Sequence, residues 1–133
     1  IGVNHYPGNQ WQLEGPRLEP GDDGYRPLRG LLADAWERYG KPIVVTETGA
    51  EAERRAPWLR YATREVEAAR AAGVPVQGLC LYPILDHPGW DDGRHVRCGL
   101  YGFRRRGERR EDPEYGQAVR ETAARYTLAT SRR

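Results

Sequence analysis

The chain has 133 residues, 38% of them hydrophobic, which is the size of a single domain with a modest core. Its 21 basic and 19 acidic residues nearly balance and leave a net charge of +2. Domains dedicated to nucleic acids carry a marked basic excess, so we expect no nucleic-acid partner.

The cysteines and the apolar runs bear on the compartment. Cys80 and Cys98 lack a Cys-x-x-Cys spacing, and Cys80 lies in an apolar run, so we expect free, buried thiols in a reducing compartment. No apolar run has the length of a transmembrane helix, and no charged and then apolar leader opens the chain. We therefore expect a cytoplasmic protein without a membrane partner.

The first part of the chain predicts a strand, a loop and a helix. A short buried strand over residues 1–6 ends at Pro7-Gly8, and a polar loop rich in Gly and Pro runs to about Tyr25. Apolar residues then recur at helical spacing. Pro27 suits the first turn of this helix, and Gly40 suits the position just past its end.

The rest of the chain repeats this alternation. We predict strands over residues 43–46 and 76–82, with a helix from about Pro57 to Gly73 between them and a last helix capped by Asp112. Such alternation predicts parallel strands joined by helical crossovers. Three strands cover too little core for a complete parallel sheet. Because the chain also opens within a strand, we expect residues 1–133 to be part of a longer protein, from a barrel or an open sheet.

Polar side chains follow each predicted strand at its carboxyl end. Functional groups of parallel α/β proteins gather at these ends, so we expect these side chains to open onto one face. In chain order they are Asn4, His5, Tyr6, Glu47, Thr48, Tyr82, Asp86 and His87.

Glu47 is the strongest candidate for chemistry. It comes directly after a buried strand in PIVVTETGAE, where a carboxylate loses hydration unless partners hold it. Tyr6 could donate a hydrogen bond to it and keep it ionised as a nucleophile. The alternative is that Glu47 only caps the turn at Gly49 through backbone amides.

The segment DHPGWDDGRH, residues 86–95, contains two histidines and three aspartates. Its spacing matches no metalloprotein pattern, so we expect no metal and no other cofactor. Asp86 and His87 are instead expected to order the loop or to contact a polar ligand.

Three blocks occur in the order GVNHY, YGKPIVVTETG and GVPVQGLCLYPILDHPGW, and GL follows them. Together they resemble the C-terminal part of family 1 glycoside hydrolases, which are β-glucosidase-like (β/α)8 barrels. The resemblance runs from Ile1 to about Leu100. It implies an α/β fold made of about three C-terminal βα units, strands six to eight of a partial TIM barrel, whose N-terminal part this chain lacks.

The resemblance also implies roles for matching residues. Glu47 matches the nucleophile of retaining hydrolysis of O-glycosidic bonds, and Tyr6 matches the tyrosine that contacts it. Trp90 matches an aromatic residue that supports a sugar ring. The partner implied is a carbohydrate or glycoside. The predicted substrate-binding residues are Asn4, His5, Tyr82, Asp86, His87 and Trp90.

Some positions depart from the family pattern. Tyr82 stands in place of a tryptophan, and Gly89 stands in place of a glutamate that binds sugar hydroxyls. His5 replaces the first tyrosine of its motif, and Thr48 replaces the asparagine after the nucleophile. The general acid of the family comes from an upstream Asn-Glu-Pro motif, so we expect the chain alone to be inactive.

Three functions therefore remain open. The complete protein is a glycosidase, or it is a carbohydrate-binding barrel that has lost catalysis, as Gly89 and Tyr82 suggest. The third alternative is a structural fragment whose strand edges pair with a complementary chain.

Overall fold

The computed structural model describes residues 1–103 and 107–130, with side chains as far as Tyr126. The fold is α/β, and the chain divides into two compact units, residues 1–49 with 61–81 and residues 50–60 with 82–133. The elements in chain order are β1 (Gly2–Asn4), α1 (Leu28–Tyr39), β2 (Ile43–Thr48), a 3-10 turn (Ala52–Arg54), α2 (Arg55–Ala71), β3 (Val76–Leu81), β4 (His87–Pro88), β5 (His95–Val96), β6 (Tyr101–Phe103), β7 (Arg109–Glu111) and α3 (Pro113–Thr130).

The first unit contains a three-stranded parallel sheet in the order β1-β2-β3, which confirms the predicted parallel arrangement. The central strand is longer than predicted. Backbone pairing continues through Asn4 with Glu47 and through Thr48 with Leu81. Glu47 therefore lies within the last residues of β2, and the prediction that the strand ends before it is wrong.

The core of the first unit forms between the sheet and the two helices that follow its strands. Ile43 and Val45 on β2 are fully buried. The buried positions of α1 are Leu28 and Leu32, one helical turn apart, as an amphipathic helix requires.

None of the helices in the described part of the chain has the length and hydropathy needed to cross a bilayer.

Both ends of α1 satisfy their unpaired backbone groups by identifiable contacts. At the C-terminal end Gly40 adopts a left-handed conformation, with φ of 59°, and donates its N–H to Trp36 O at 2.8 Å. At the N-terminal end Pro27 provides no side-chain cap. Side chains of α2 accept the first N–H groups instead: Leu28 N donates to Tyr61 Oη at 3.3 Å and Arg29 N to Glu65 Oε2 at 3.1 Å.

The second unit contains two antiparallel hairpins, β4-β5 and β6-β7. A buried arginine connects its segments. The Arg55 guanidinium, 5% exposed, donates to Ala52 O at 2.7 Å, to Gly99 O at 2.6 Å and to Asp112 Oδ2 at 2.6 Å. The other oxygen of Asp112 accepts the Tyr115 N–H at 3.0 Å, so the predicted cap of α3 is confirmed.

The two cysteines are free, but they differ in exposure. Cys98 is buried, and burial raises the pKa of its thiol. Cys80 is exposed, so the expectation that both thiols are buried is wrong. Within the described sheet β3 is an edge strand, and its burial is limited to its first residue: Val76 is buried, whereas Gln77 and Cys80 are exposed.

We predict that Asp112→Ala destabilises the chain by about 3 kcal/mol, because it leaves the buried Arg55 charge without its carboxylate and removes the cap of α3. Urea unfolding followed by circular dichroism measures this change. The matched control is Glu53→Ala, since Glu53 pairs with Arg97 but its side chain is 81% exposed. Its cost is expected within about 0.5 kcal/mol. Equal costs for the two variants would contradict the prediction.

Candidate functional site

The first unit brings the predicted nucleophile and its predicted partner together. Tyr6 Oη donates a hydrogen bond to Glu47 Oε2 at 2.8 Å, and both side chains are partly buried. Among the described residues, no hydrogen bond or ion pair engages the second oxygen, Oε1.

Backbone contacts fix the strand on both sides of Glu47. The His5 N–H donates to the Glu47 carbonyl at 3.0 Å. The hydroxyl of Thr48, which is fully buried, donates to the His5 carbonyl at 2.7 Å. Thr48, at the position where the family has asparagine, therefore contributes to the β1-β2 junction.

Asn4 pairs with Glu47 in the parallel ladder, so both side chains lie at the carboxyl ends of neighbouring strands. The Thr46 hydroxyl donates to Asn4 Oδ1 at 2.7 Å and orients the amide. Within the described residues the amide nitrogen of Asn4 makes no hydrogen bond, which leaves a donor at an exposed position. Sequence reasoning missed Thr46, although its place one residue before Glu47 was a usable signal.

His5 is only 4% exposed, and its ring faces tyrosines. Its Nε2 lies 3.5 Å from Tyr25 Oη, and Tyr25 Oη lies 2.9 Å from Tyr61 Oη. Burial lowers the pKa of His5 below its usual value, and burial, followed by the hydrogen bond with Tyr61, raises the pKa of Tyr25. Neutral His5 can therefore accept a weak hydrogen bond from a protonated Tyr25. The Tyr25 contact crosses a long loop and had no sequence signal.

The second unit contains the other predicted residues, arranged as an aromatic row. Tyr82 and His87 have ring centroids 6.0 Å apart, and His87 and Trp90 are edge-to-face at 6.4 Å. Trp90 is 88% exposed and Tyr82 is 37% exposed. The row lines an open cleft of about 690 Å³ formed by residues 82–90 together with Arg109.

Asp86 and His87 have contacts that order this loop. Asp86 is buried, and its Oδ1 accepts the Gly99 N–H at 2.7 Å. His87 Nδ1 lies 2.7 Å from Pro88 O. Because a carbonyl only accepts, Nδ1 carries the proton of this contact, and Nε2 is the acceptor when the ring is neutral.

A side chain at position 89 would have to displace the carboxylate of Asp92. A Cβ there would lie 2.5 Å from Asp92 Oδ1 and 3.4 Å from Arg94 O. Asp92 is held in place by the Arg94 backbone N–H at 3.0 Å and by the Arg94 guanidinium at 3.3 Å. The turn thus occupies the space into which a side chain at residue 89 would project.

Arg94 also forms a two-pronged ion pair with Glu51, with oxygen–nitrogen distances of 2.5 and 2.9 Å. The hydrogen bonds from Arg94 lower the pKa of Glu51. These residues are 43 positions apart, and no local pattern marked the pair.

No group of three or more histidine, cysteine, aspartate or glutamate side chains in residues 1–103 and 107–130 is arranged to hold a metal ion.

Comparison with known proteins identifies β-glycosidases as structural neighbours, although no family model matches the chain. The chain is 26% identical to the β-glycosidase of the hyperthermophile Thermosphaera aggregans, with a TM-score of 0.67 over 91% of this chain and 26% of that one. It is 21% identical to a family 1 β-glucosidase from Thermotoga maritima in complex with isofagomine lactam, with a TM-score of 0.67 over 91% and 34%. An aphid myrosinase matches at 20% identity and a TM-score of 0.66, over 80% and 26%.

The chain therefore spans about a quarter to a third of the length of these proteins. The structural neighbours are family 1 β-glycosidases, and the resemblance predicted from the three sequence blocks is confirmed.

We predict that the Tyr6–Glu47 contact is energetically coupled. Tyr6→Phe and Glu47→Gln should each weaken the contact and lower the free energy of unfolding. The loss in the double variant should be smaller than the sum of the two single losses by about 1 kcal/mol, because the contact can be lost only once. A double-mutant cycle from urea unfolding measures the coupling. Tyr39→Phe is the control, because Tyr39 is 57% exposed on α1. Strict additivity of Tyr6→Phe and Glu47→Gln would show that the contact does not form in solution.

We predict that His5 makes stability depend on pH. Its pKa is lowered in the folded chain, so the unfolded chain binds the proton more readily. The stability that neutral His5 contributes is fully present above about pH 6.5, the usual histidine pKa. It is lost as the pH falls through the lower pKa of His5 in the folded chain. His5→Phe should therefore flatten the fall in the urea midpoint between neutral and mildly acidic pH. Parallel pH profiles for both proteins would contradict this.

Proposed function

We propose that residues 1–133 are the C-terminal part of a single (β/α)8 barrel domain, strands six to eight, and that the complete protein is a retaining β-glycosidase-like hydrolase. The observation that carries this proposal is the 2.8 Å hydrogen bond between Tyr6 and Glu47 at the carboxyl end of β2. The likeness to β-glycosidases over most of this chain supports it. The N-terminal part of the barrel is the missing partner in this proposal.

Glu47 is the nucleophile of the proposed reaction. Tyr6 engages Oε2, so Oε1 is the oxygen that attacks the anomeric carbon and forms a glycosyl ester as the aglycone leaves. A general acid outside this chain protonates the leaving oxygen. Water, deprotonated by the same group, then attacks the anomeric carbon, releases the sugar and restores the carboxylate. The chain alone lacks the acid and should not turn over.

The neighbours of Glu47 position it for this step. Tyr6 holds the carboxylate in one orientation through its hydrogen bond to Oε2. The buried backbone contacts of His5 and Thr48 prevent the end of the strand from shifting. Asn4 offers its amide N–H groups to a sugar hydroxyl, while its oxygen accepts the Thr46 hydroxyl.

The aromatic row of the second unit binds the glycoside. The Trp90 ring is exposed and presents an apolar face suited to the C–H face of a pyranose. His87 stands between Tyr82 and Trp90 and offers Nε2 to a hydroxyl. Asp86 acts indirectly here, since its contact with the Gly99 N–H orders the loop.

A carbohydrate-binding barrel without catalysis is the second candidate. It is favoured by Gly89, whose side-chain space is filled by Asp92, so that the sugar-binding glutamate of the family has no counterpart at this position. Binding of a glycoside without its hydrolysis would distinguish this candidate from the first.

The test uses the complete protein that contains this chain, with an aryl β-glycoside as substrate. Glu47→Gln should lower kcat at least about a thousandfold, as removal of a catalytic nucleophile does. An activated fluoroglycoside should leave a glycosyl adduct on Glu47, located by peptide mass spectrometry. Glu53→Gln, which changes an 81% exposed carboxylate in the same way, should keep its activity.

Hydrolysis unchanged in Glu47→Gln would refute the assigned nucleophile. Glycoside binding by the wild-type protein with no turnover would establish the second candidate instead.

A further inference from the structure

A second cavity, of about 440 Å³, lies in the second unit beside the β6-β7 hairpin and the start of α3. It differs from the cleft of the aromatic row, since Asp86 is the only described residue that lines both. Its volume is within the range of small-molecule sites. We call it the hairpin cavity. Its charged lining residues are Arg55, Arg97, Arg110, Asp86, Glu111 and Asp112.

Four of these six charges are neutralised by ion pairs. The pairs are Arg55–Asp112 at 2.6 Å, Arg97–Glu53 at 3.2 Å and Glu111–Arg120 at 2.8 Å. Asp86 and Arg110 are left, and neither takes part in an ion pair with another described residue. The hairpin cavity therefore retains one carboxylate and one guanidinium that a ligand can neutralise.

The Asp86 carboxylate has one oxygen without a donor. The residue is only 6% exposed, and its Oδ1 accepts the Gly99 N–H at 2.7 Å. Within the described residues Oδ2 accepts no hydrogen bond, yet it is not sealed from solvent. A Cβ on Gly102, which lines the hairpin cavity, would lie 3.1 Å from Oδ2. Because Gly102 has no side chain, this oxygen opens to the cavity, where a cationic donor would offset the cost of its burial.

The register of the hairpin brings Arg110 to the same side. Gly102 and Arg110 are directly paired in the β6-β7 ladder. Residues directly opposite each other on antiparallel strands have their side chains on one face. The Arg110 side chain therefore leaves the hairpin on the face on which Asp86 Oδ2 lies. The two groups form no ion pair with each other, so a gap remains between them that a ligand can span.

We propose that the hairpin cavity binds a small zwitterion, whose ammonium group donates to Asp86 Oδ2 and whose carboxylate accepts from the Arg110 guanidinium. An amino acid is the simplest compound of this class. A ligand with only one of these groups would leave the opposite charge of the cavity without a partner. The inference goes beyond the proposed function, because a ligand here is separate from the glycoside on the aromatic row.

The experiment titrates the 15N-labelled chain with three zwitterions of increasing length, which are glycine, β-alanine and γ-aminobutyrate. Butyrate and butylamine are the controls with a single charge. Binding is followed by the backbone amide signals of Gly99 and Gly102, which lie next to Asp86. We expect the best zwitterion to bind at least about 5-fold more tightly than either control, since it makes both charge-assisted contacts. Added salt should weaken its binding.

Arg110→Gln and Asp86→Asn should each abolish this preference, since each removes one of the two charges. Gly102→Ala should weaken the binding of the zwitterion and of butylamine but not of butyrate, because its methyl group would cover Oδ2. The matched control is Arg109→Gln, which removes the same charge from the adjacent residue of β7. Successive strand residues point to opposite faces, and Arg109 lines the cleft of the aromatic row instead. This variant should keep the preference.

Each outcome decides one part of the inference. Absence of binding by all three zwitterions would overturn the site. Equal affinity for butyrate and the best zwitterion would overturn the ligand class, and a preference that persists in Arg110→Gln would overturn the role of Arg110. If the urea midpoint shows that Asp86→Asn does not fold, Gly102→Ala tests the same oxygen. None of these measurements depends on glycoside hydrolysis, so their failure would leave the proposed function intact.

Discussion

Backbone pairing between β1 and β2 is the constraint on which the candidate catalytic geometry depends. It aligns Asn4 with Glu47, and the His5 N–H extends the contact to the Glu47 carbonyl. Since both strands run in the same direction, their polar carboxyl ends meet at one edge, which is how Tyr6 comes within hydrogen-bond distance of Glu47, 41 residues away. A slip of one residue would turn Glu47 to the other face of the sheet.

A comparable constraint acts in the second unit at Gly99. Its carbonyl accepts the Arg55 guanidinium, and its N–H donates to Asp86. A Cβ at this position would lie 2.3 Å from the Asp86 backbone nitrogen, so only glycine allows this approach. Buried charges need such partners, and these fixed contacts hold the start of the loop that carries His87 and Trp90. The exposed aromatic rings are thus supported by a buried polar network.

The proposed function depends on how Glu47 is held. Its carboxylate accepts a partly buried hydrogen bond from Tyr6, and salt screens such a contact less than it screens an exposed ion pair.

The sequence by itself determined the features that follow local rules. Pro27, Gly40 and Asp112 mark helix ends because their conformations and caps act within one turn. The positions of Tyr6 and Glu47 near the ends of two predicted strands also led to the prediction that they contact each other. Only the tertiary structure decided the contacts of Gly89, the exposure of Cys80 and the pairing of Glu51 with Arg94. These depend on residues brought together by folding. Because long-range contacts leave no period or motif in the chain, no local pattern could predict them.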